Sequence, residues 1–250
     1  MKTRTGNLLQ VTLLCLVALL LAATTSAQST TTGAIGGVVS DPSGAIVASA
    51  QVTVRNLGTN SASSSGLDAS GRFQITLLQP GQYMVEISAA GFEKYVAGSV
   101  IVEIGRTTSL DVTLGLAGQK QTVEVTGEAP VITTDRSDTT MNINEASMAN
   151  LPVNGRRWST FALGTPGAVP DGNFGLISFR GISGLLNNNT VDGGDNNQAF
   201  FAEEKGRTRI NYSISQASIQ EFQVNTSNFS AEYGRSAGGV VNAVTKSGSN

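Results

Sequence analysis

The chain of 250 residues contains no histidine and a single cysteine, Cys15. Without histidine, the commonest general base and the commonest metal ligand are both missing. One cysteine cannot close an intrachain disulfide or a Cys-type zinc site, so stability has to come from packing. Charged residues make up 14% of the chain and aromatics 6%. No run of like charge is long enough for a nucleic-acid patch or an acidic tail, so no nucleic-acid partner is expected. There is no G-x-x-x-x-G-K-(S/T) or G-x-G-x-x-G segment to cradle a phosphate. Asp192-Gly193-Gly194-Asp195-Asn196-Asn197 has the composition of a calcium loop, but lacks the ordered ligand spacing and distal glutamate. It reads as a solvated loop. These absences imply no cofactor, no metal site and no catalytic set. The chain reads as binding and gating modules, not as an enzyme.

Glycine is plentiful, at 29 residues, which with the low charge suits a turn-rich β protein. The first 27 residues have the pattern of a cleaved secretory signal. Lys2 and Arg4 supply the positive start, and Leu13–Ala23 is an unbroken apolar run of 11 residues. Thr25-Ser26-Ala27 offers small residues for cleavage between Ala27 and Gln28. The run is far short of the roughly 20 residues that span a bilayer, which argues against a membrane anchor. Cleavage there would remove Cys15 and leave 14 basic residues against 18 acidic ones. Residues 28–32 form a polar leader.

From Gly33 to Gly115, short alternating segments are separated by turn signals such as Asp41-Pro42-Ser43-Gly44 and Gln79-Pro80-Gly81. Val52/Val54, Phe73/Ile75, Tyr83/Val85/Ile87, Val100/Val102 and Leu110/Val112/Leu114 each keep one face apolar. About seven such strands in about 80 residues argue for a small, Ig-like antiparallel β-sandwich. Phe73, Tyr83, Phe92 and Tyr95 fall mostly at strand or core positions, so no exposed sugar-binding platform is evident. Residues 116–138 form a connector. Asn144 suits a helix N-cap ahead of Glu145, Met148 and Leu151, and Pro152 limits that helix. The Asn- and Gly-rich stretches Asn187–Thr190 and Gly193–Gln198 are expected to be loops.

Near the end, Phe222 and Val224 alternate with Glu221 and Gln223, the period of a half-buried strand. Gly238-Gly239 suits a close backbone approach. Val240, Val241, Ala243 and Val244 make an apolar, β-branched run suited to a strand covered on both faces. The overall class expected is mostly β, a sandwich over 33–115 followed by a small α+β unit over 139–250.

Two family resemblances lie on these residues. Gly36–Val54, Asp68–Phe73 and Pro80–Phe92 carry a spacing that resembles the carboxypeptidase regulatory-like domain, a transthyretin-like sandwich sometimes grouped with carbohydrate-binding-like folds. Shape alone does not carry function. The later part resembles the plug domain of TonB-dependent outer-membrane receptors. The matching positions are Arg180-Gly181, Asp192-Gly193, Glu221, Tyr233-Gly234, Gly238-Gly239, Asn242 and Thr245-Lys246. Leu151–Arg156 (LPVNGR) is similar to a segment of sandwich-bearing receptors. One departure is Asn225-Thr226-Ser227, where many members carry Arg-Gly-Pro.

The resemblance implies an outer-membrane location facing the periplasm and a plug gating a barrel, with strands beyond Asn250. It also implies a periplasmic partner, TonB, and a small ligand such as a siderophore or oligosaccharide. Thr122-Val123-Glu124-Val125-Thr126 resembles a TonB box; an extended segment of this kind can add to a partner's sheet edge. The same segment could instead be a linker strand or the first plug strand. Phe200-Phe201 could face ligand, or pack against the plug or the barrel wall. Without its barrel, the plug is expected to be marginally stable from about Gln119 onward. The alternative to a receptor fragment is a stand-alone exported interaction module, periplasmic or on the cell surface, with a carbohydrate-binding-like sandwich.

Overall fold

The computed structural model describes residues 31–117, 126–127, 139–150, 158–172, 176–197, 214–230 and 232–248. The signal sequence, Ala27, Gln28, Thr122–Val125, Pro152 and Phe200-Phe201 lie outside the described residues.

The first unit is built by the alternating segments. Its strands are β1 (Gly33–Ser40), β2 (Gln51–Asn56), β3 (Ala62–Gly66), β4 (Arg72–Leu78), β5 (Gly81–Ser88), β6 (Tyr95–Val102), β7 (Thr107–Ser109) and β8 (Val112–Thr113), with β9 (Thr126–Gly127) added later in the chain. One sheet has the order β4-β1-β7, with β8 also on β1; the other runs β3-β2-β5-β6-β9. Ile35, Val39, Val52, Val54, Val85 and Ile87 are fully buried between them. Phe73 and Tyr83 belong to the same core, and Phe92 and Tyr95 pack against it. The aromatics therefore do core work. Tyr83 Oη donates to the carbonyl of Gln79 at 2.9 Å, and burial raises the phenol pKa of both Tyr83 and Tyr95.

Two corners of the sandwich use one device. Asp41 accepts from Ser43 N and Oγ and from Ala45 N. Asp68 accepts from Ser70 N and Oγ and from Arg72 N. In each turn the closing glycine has the left-handed conformation, Gly44 at φ 84° and Gly71 at φ 71°.

The second unit contains β10 (Thr139–Asn144), α1 (Glu145–Asn150), β11 (Ala168–Asp171), β12 (Leu176–Phe179), β13 (Asn188–Val191), β14 (Gly194–Asp195), β15 (Ile219–Ser227) and β16 (Val240–Thr245). Its five-stranded sheet has the order β10-β15-β16-β13-β14, and β11 pairs with β12 as a separate hairpin. Asn144 Oδ1 accepts from Ser147 N, which caps α1. Phe222 and Val224 face a second core with Ile143, Met148, Phe161, Phe179, Val241 and Ala243. The rings of Phe161 and Phe222 stand 5.7 Å apart at 56°. As its apolar run implies, β16 is buried from Val240 to Val244.

Two expectations are overturned here. Asn187–Thr190 is not a loop: Asn188–Val191 is strand β13, parallel to β16, and Asn187 to Thr190 are all buried. Gly193–Gln198 is not simply a loop either, because Gly194-Asp195 returns as β14. The Asp192–Asn197 stretch is solvated only over Asp192–Asp195, while Asn196 and Asn197 are buried. The reason is chemical. These amides find partners in one another: Asn197 Nδ2 donates to Asn188 Oδ1 at 2.7 Å, and Asn189 N donates to Asn197 Oδ1 at 2.9 Å. Polarity alone therefore did not mean water.

Candidate functional site

The period of 2 in β15 places apolar and polar residues on opposite faces of the sheet. Ile143, Phe222 and Ala243 lie side by side across β10, β15 and β16 and face the core. The neighbouring row is Asn142, Gln223, Asn242, Thr190 and Asp195, in register across all five strands. Glu221 and Asn225 flank that row on β15, and Glu221, Gln223, Asn225 and Asn242 are 0–3% exposed. A sheet face so polar and so buried requires dense pairing. Thr190 Oγ1 donates to Asn242 Oδ1 at 2.7 Å. Asn225 Nδ2 donates to Gln223 Oε1 at 3.0 Å, and Tyr233 Oη reaches the same oxygen at 3.3 Å.

At one end this face opens into a recess of about 190 Å³ lined by Asn188, Thr190, Asp195, Glu232, Tyr233 and Arg235 among others. Arg235 Nη1 pairs with Asp195 Oδ2 at 2.7 Å. Asn188 Nδ2 donates to the carbonyl of Gly234 at 2.8 Å and ties the lining segment to the sheet. The recess offers amides, a hydroxyl, a phenol and charges of both signs. Such a lining can hydrogen-bond a polar ligand.

At the other end the face is covered by the sandwich. The Glu103–Arg106 turn joins β6 to β7 and places Ile104 against β10 and β15. Ile104 N donates to Glu221 Oε1 at 3.2 Å. The carbonyl of Ile104 accepts from Gln223 Nε2 at 2.9 Å and from Asn142 Nδ2 at 3.2 Å. Burial pushes the Glu221 carboxyl up to about 8, with the nearby Glu103 carboxylate adding to the effect; the Ile104 N–H, Arg106 and Asn142 oppose it.

The sequence-selected residues divide into groups. Asp192 and Thr245, 53 positions apart, meet: Asp192 Oδ1 accepts from Thr245 N and Oδ2 from Thr245 Oγ1, both at 2.8 Å. Lys246 Nζ pairs with Glu145 Oε1 at 2.6 Å. Asp192-Gly193 and Arg180-Gly181 are turns in which all four residues have positive φ. Gly238 and Gly239 are buried; a Cβ on Gly239 would lie 2.4 Å from the Phe179 ring. Tyr233, Gly234 and Asn242 join the polar face, and Glu221 joins its covered end. Arg180 is exposed and stands apart from that face. Thr126, with Gly127, pairs in parallel with Ser99-Val100 on the sandwich edge. Motif matching missed Gln223, Asn142 and Ile104. The one sequence signal for Gln223 was its alternation with Phe222 and Val224.

Residues 34–115 match the carboxypeptidase regulatory-like domain family. The chain is 30% identical over 234 residues to the TonB-dependent transporter Oar of Myxococcus xanthus. That alignment takes in 90% of this chain and 21% of the transporter, so the chain spans about a fifth of the length of this curated relative. Among solved structures, the Bacillus anthracis TIE protein is similar at TM-score 0.31 and 19% identity, over 34% of this chain and 17% of that one. GBS52, the minor pilin of Streptococcus agalactiae, is similar at TM-score 0.29 and 16% identity, over 39% of this chain and 50% of that one. Likenesses of that degree carry no functional argument.

Proposed function

We propose that this chain is the N-terminal region of a TonB-dependent outer-membrane receptor. In this reading residues 1–27 are an export signal, 28–32 a leader and 33–115 a regulatory-like sandwich. Residues 116–138 carry a TonB-box-like segment at Thr122–Thr126, and 139–250 form a plug that gates a barrel. The observation that carries the reading is the 30% identity to a TonB-dependent transporter across 90% of this chain, sandwich and second unit together. The pairing of Asp192 with Thr245 supports it, because two motif positions far apart in sequence form one structural clasp. The role is binding and gating without catalysis, and the ligand is a small polar molecule taken up through the barrel.

The test is the coding sequence after the codon for Asn250, together with binding of the full chain to the periplasmic domain of TonB. An in-frame continuation into amphipathic strands of about 9–11 residues, with TonB binding lost when Val123 and Val125 are changed to proline, is the expected result. A stop codon directly after Asn250, with the protein soluble in the periplasm and indifferent to TonB, would refute the reading.

A further inference from the structure

At Ile104 the second unit grips the peptide backbone of the sandwich turn through both its N–H and its C=O. Its side chain is fully buried, yet it belongs to neither apolar core. The grip resembles strand pairing, except that side chains of β10 and β15 replace a partner backbone. The turn is shaped for the contact. Gly105 has φ 63°, and its N–H donates to the carbonyl of Thr32. Gly33 lies directly behind: a Cβ there would be 2.3 Å from the carbonyl oxygen of Glu103.

Glu221 makes this contact conditional. It is 3% exposed. The Arg106 guanidinium, the nearest cation on the turn, is committed to Glu103 Oε2 at 2.6 Å. An ionised Glu221 would then be a buried carboxylate beside a second carboxylate. On β10 its neighbours are Asn142 and Asn144, both uncharged, and on β16 the residue opposite is Val244. The Lys246–Glu145 pair at that end of the sheet carries no net charge. Among the described residues, no neighbouring element supplies a free cation that would favour the charged form.

We propose that the Glu103–Arg106 turn is a releasable latch: its Ile104 peptide docks on the polar face of the second unit while Glu221 is a neutral acid, and loss of that proton lets the two units part. The inference stands on the contact between the units and does not depend on the receptor reading. The sign follows from linkage. Below pH 4.5, the ordinary value, Glu221 is protonated docked or undocked. From there to about 8 only the docked form keeps its proton, so docking weakens as pH rises. One proton gives about tenfold per pH unit in that window, and nothing further above it.

The test is amide hydrogen exchange of Ile104 in the full chain from pH 5 to 9, corrected for the intrinsic rate, with Val85 in the sandwich interior as reference. In the wild type, Ile104 protection should fall about tenfold per unit up to about pH 8 relative to Val85. In Glu221→Gln, which keeps an acceptor for the Ile104 N–H, protection should persist without that slope. A second variant, Glu103→Gln, removes the like charge from a half-buried position on the turn; the Glu221 carboxyl resonance should then titrate at lower pH. The latch is overturned if Ile104 is unprotected at pH 5, if Glu221→Gln keeps the wild-type slope, or if Glu103→Gln leaves the Glu221 titration unmoved.

Discussion

Gly239 shows how much a single hydrogen can decide. Its N–H donates to Asn187 Oδ1 at 2.9 Å, and its α-carbon lies against the ring of Phe179, which is fully buried. Gly239→Ala should therefore destabilise the second unit by about 1–3 kcal/mol, the ordinary cost of overpacking a closed core. Gly98→Ala is the control, since nothing lies within 4 Å of its would-be Cβ; its urea midpoint should barely move. The Asp192–Thr245 clasp is a second case. Asp192 has φ 51°, a region that Asp and Asn tolerate better than other L-residues. Asp192→Ala loses the acceptor for both Thr245 bonds and adds backbone strain, for about 1–3 kcal/mol in urea unfolding. Asp192→Asn keeps one carbonyl acceptor and the turn conformation, so it should lose clearly less.

Single strands carry two chemistries, and β15 carries the sharpest contrast. Phe222→Ala opens a cavity in the second core and should cost about 3–5 kcal/mol. Gln223→Leu, one residue on, keeps the volume but strips the partner from Ile104, Asn225 and Tyr233. It should cost about 1–3 kcal/mol, the penalty for stranded buried polar groups. Thermal unfolding should rank them in that order, and only Gln223→Leu should also expose the Ile104 amide. The alternation of β15 was legible because Phe222 and Val224 stand out against Glu221 and Gln223. β3 was not, because Ala62–Gly66 is an edge strand with no apolar face and most of its residues exposed. β13 was misread because its asparagines look like turn residues, whereas Asn188 and Asn189 pair with Asn197, and Asn188 with the carbonyl of Gly234. The docking of Ile104 was invisible for a different reason. Nothing local marks one apolar residue in a turn as the contact between two units, and Glu221 was selected as a motif position with no hint of its burial.

Across the whole molecule, two separate cores meet through a small polar contact, and that sets how the chain should unfold. Val224 is buried in the second core, so its methyl resonances follow that unit alone. Far-UV circular dichroism follows both. With Glu221 protonated the contact adds to both units' stability, and at pH 5 the two probes should report nearly coincident urea transitions. At pH 8.5 the buried carboxyl has crossed its raised value of about 8. The transitions should then separate, because coincident probes require coupled units. Glu221→Gln should narrow the gap at pH 8.5 and leave pH 5 unchanged. The acid side runs the other way. Asp41 and Asp68 are held below the usual carboxylate range, first by the Ser43 and Ser70 hydroxyls and then by backbone N–H groups. Their turns are secure above the ordinary aspartate pKa of 3.8 and loosen as pH falls through the lowered values. Loosening there should appear first at the Ala45 and Arg72 amides, in the sandwich, with the Val224 methyl resonances unmoved. Release on the alkaline side should appear at Ile104, with both sandwich corners intact. A single pH series read at those three amides therefore separates failure of the sandwich from parting of the units. Simultaneous changes at all three would mean that the chain behaves as one cooperative body at every pH, contrary to the two-core arrangement.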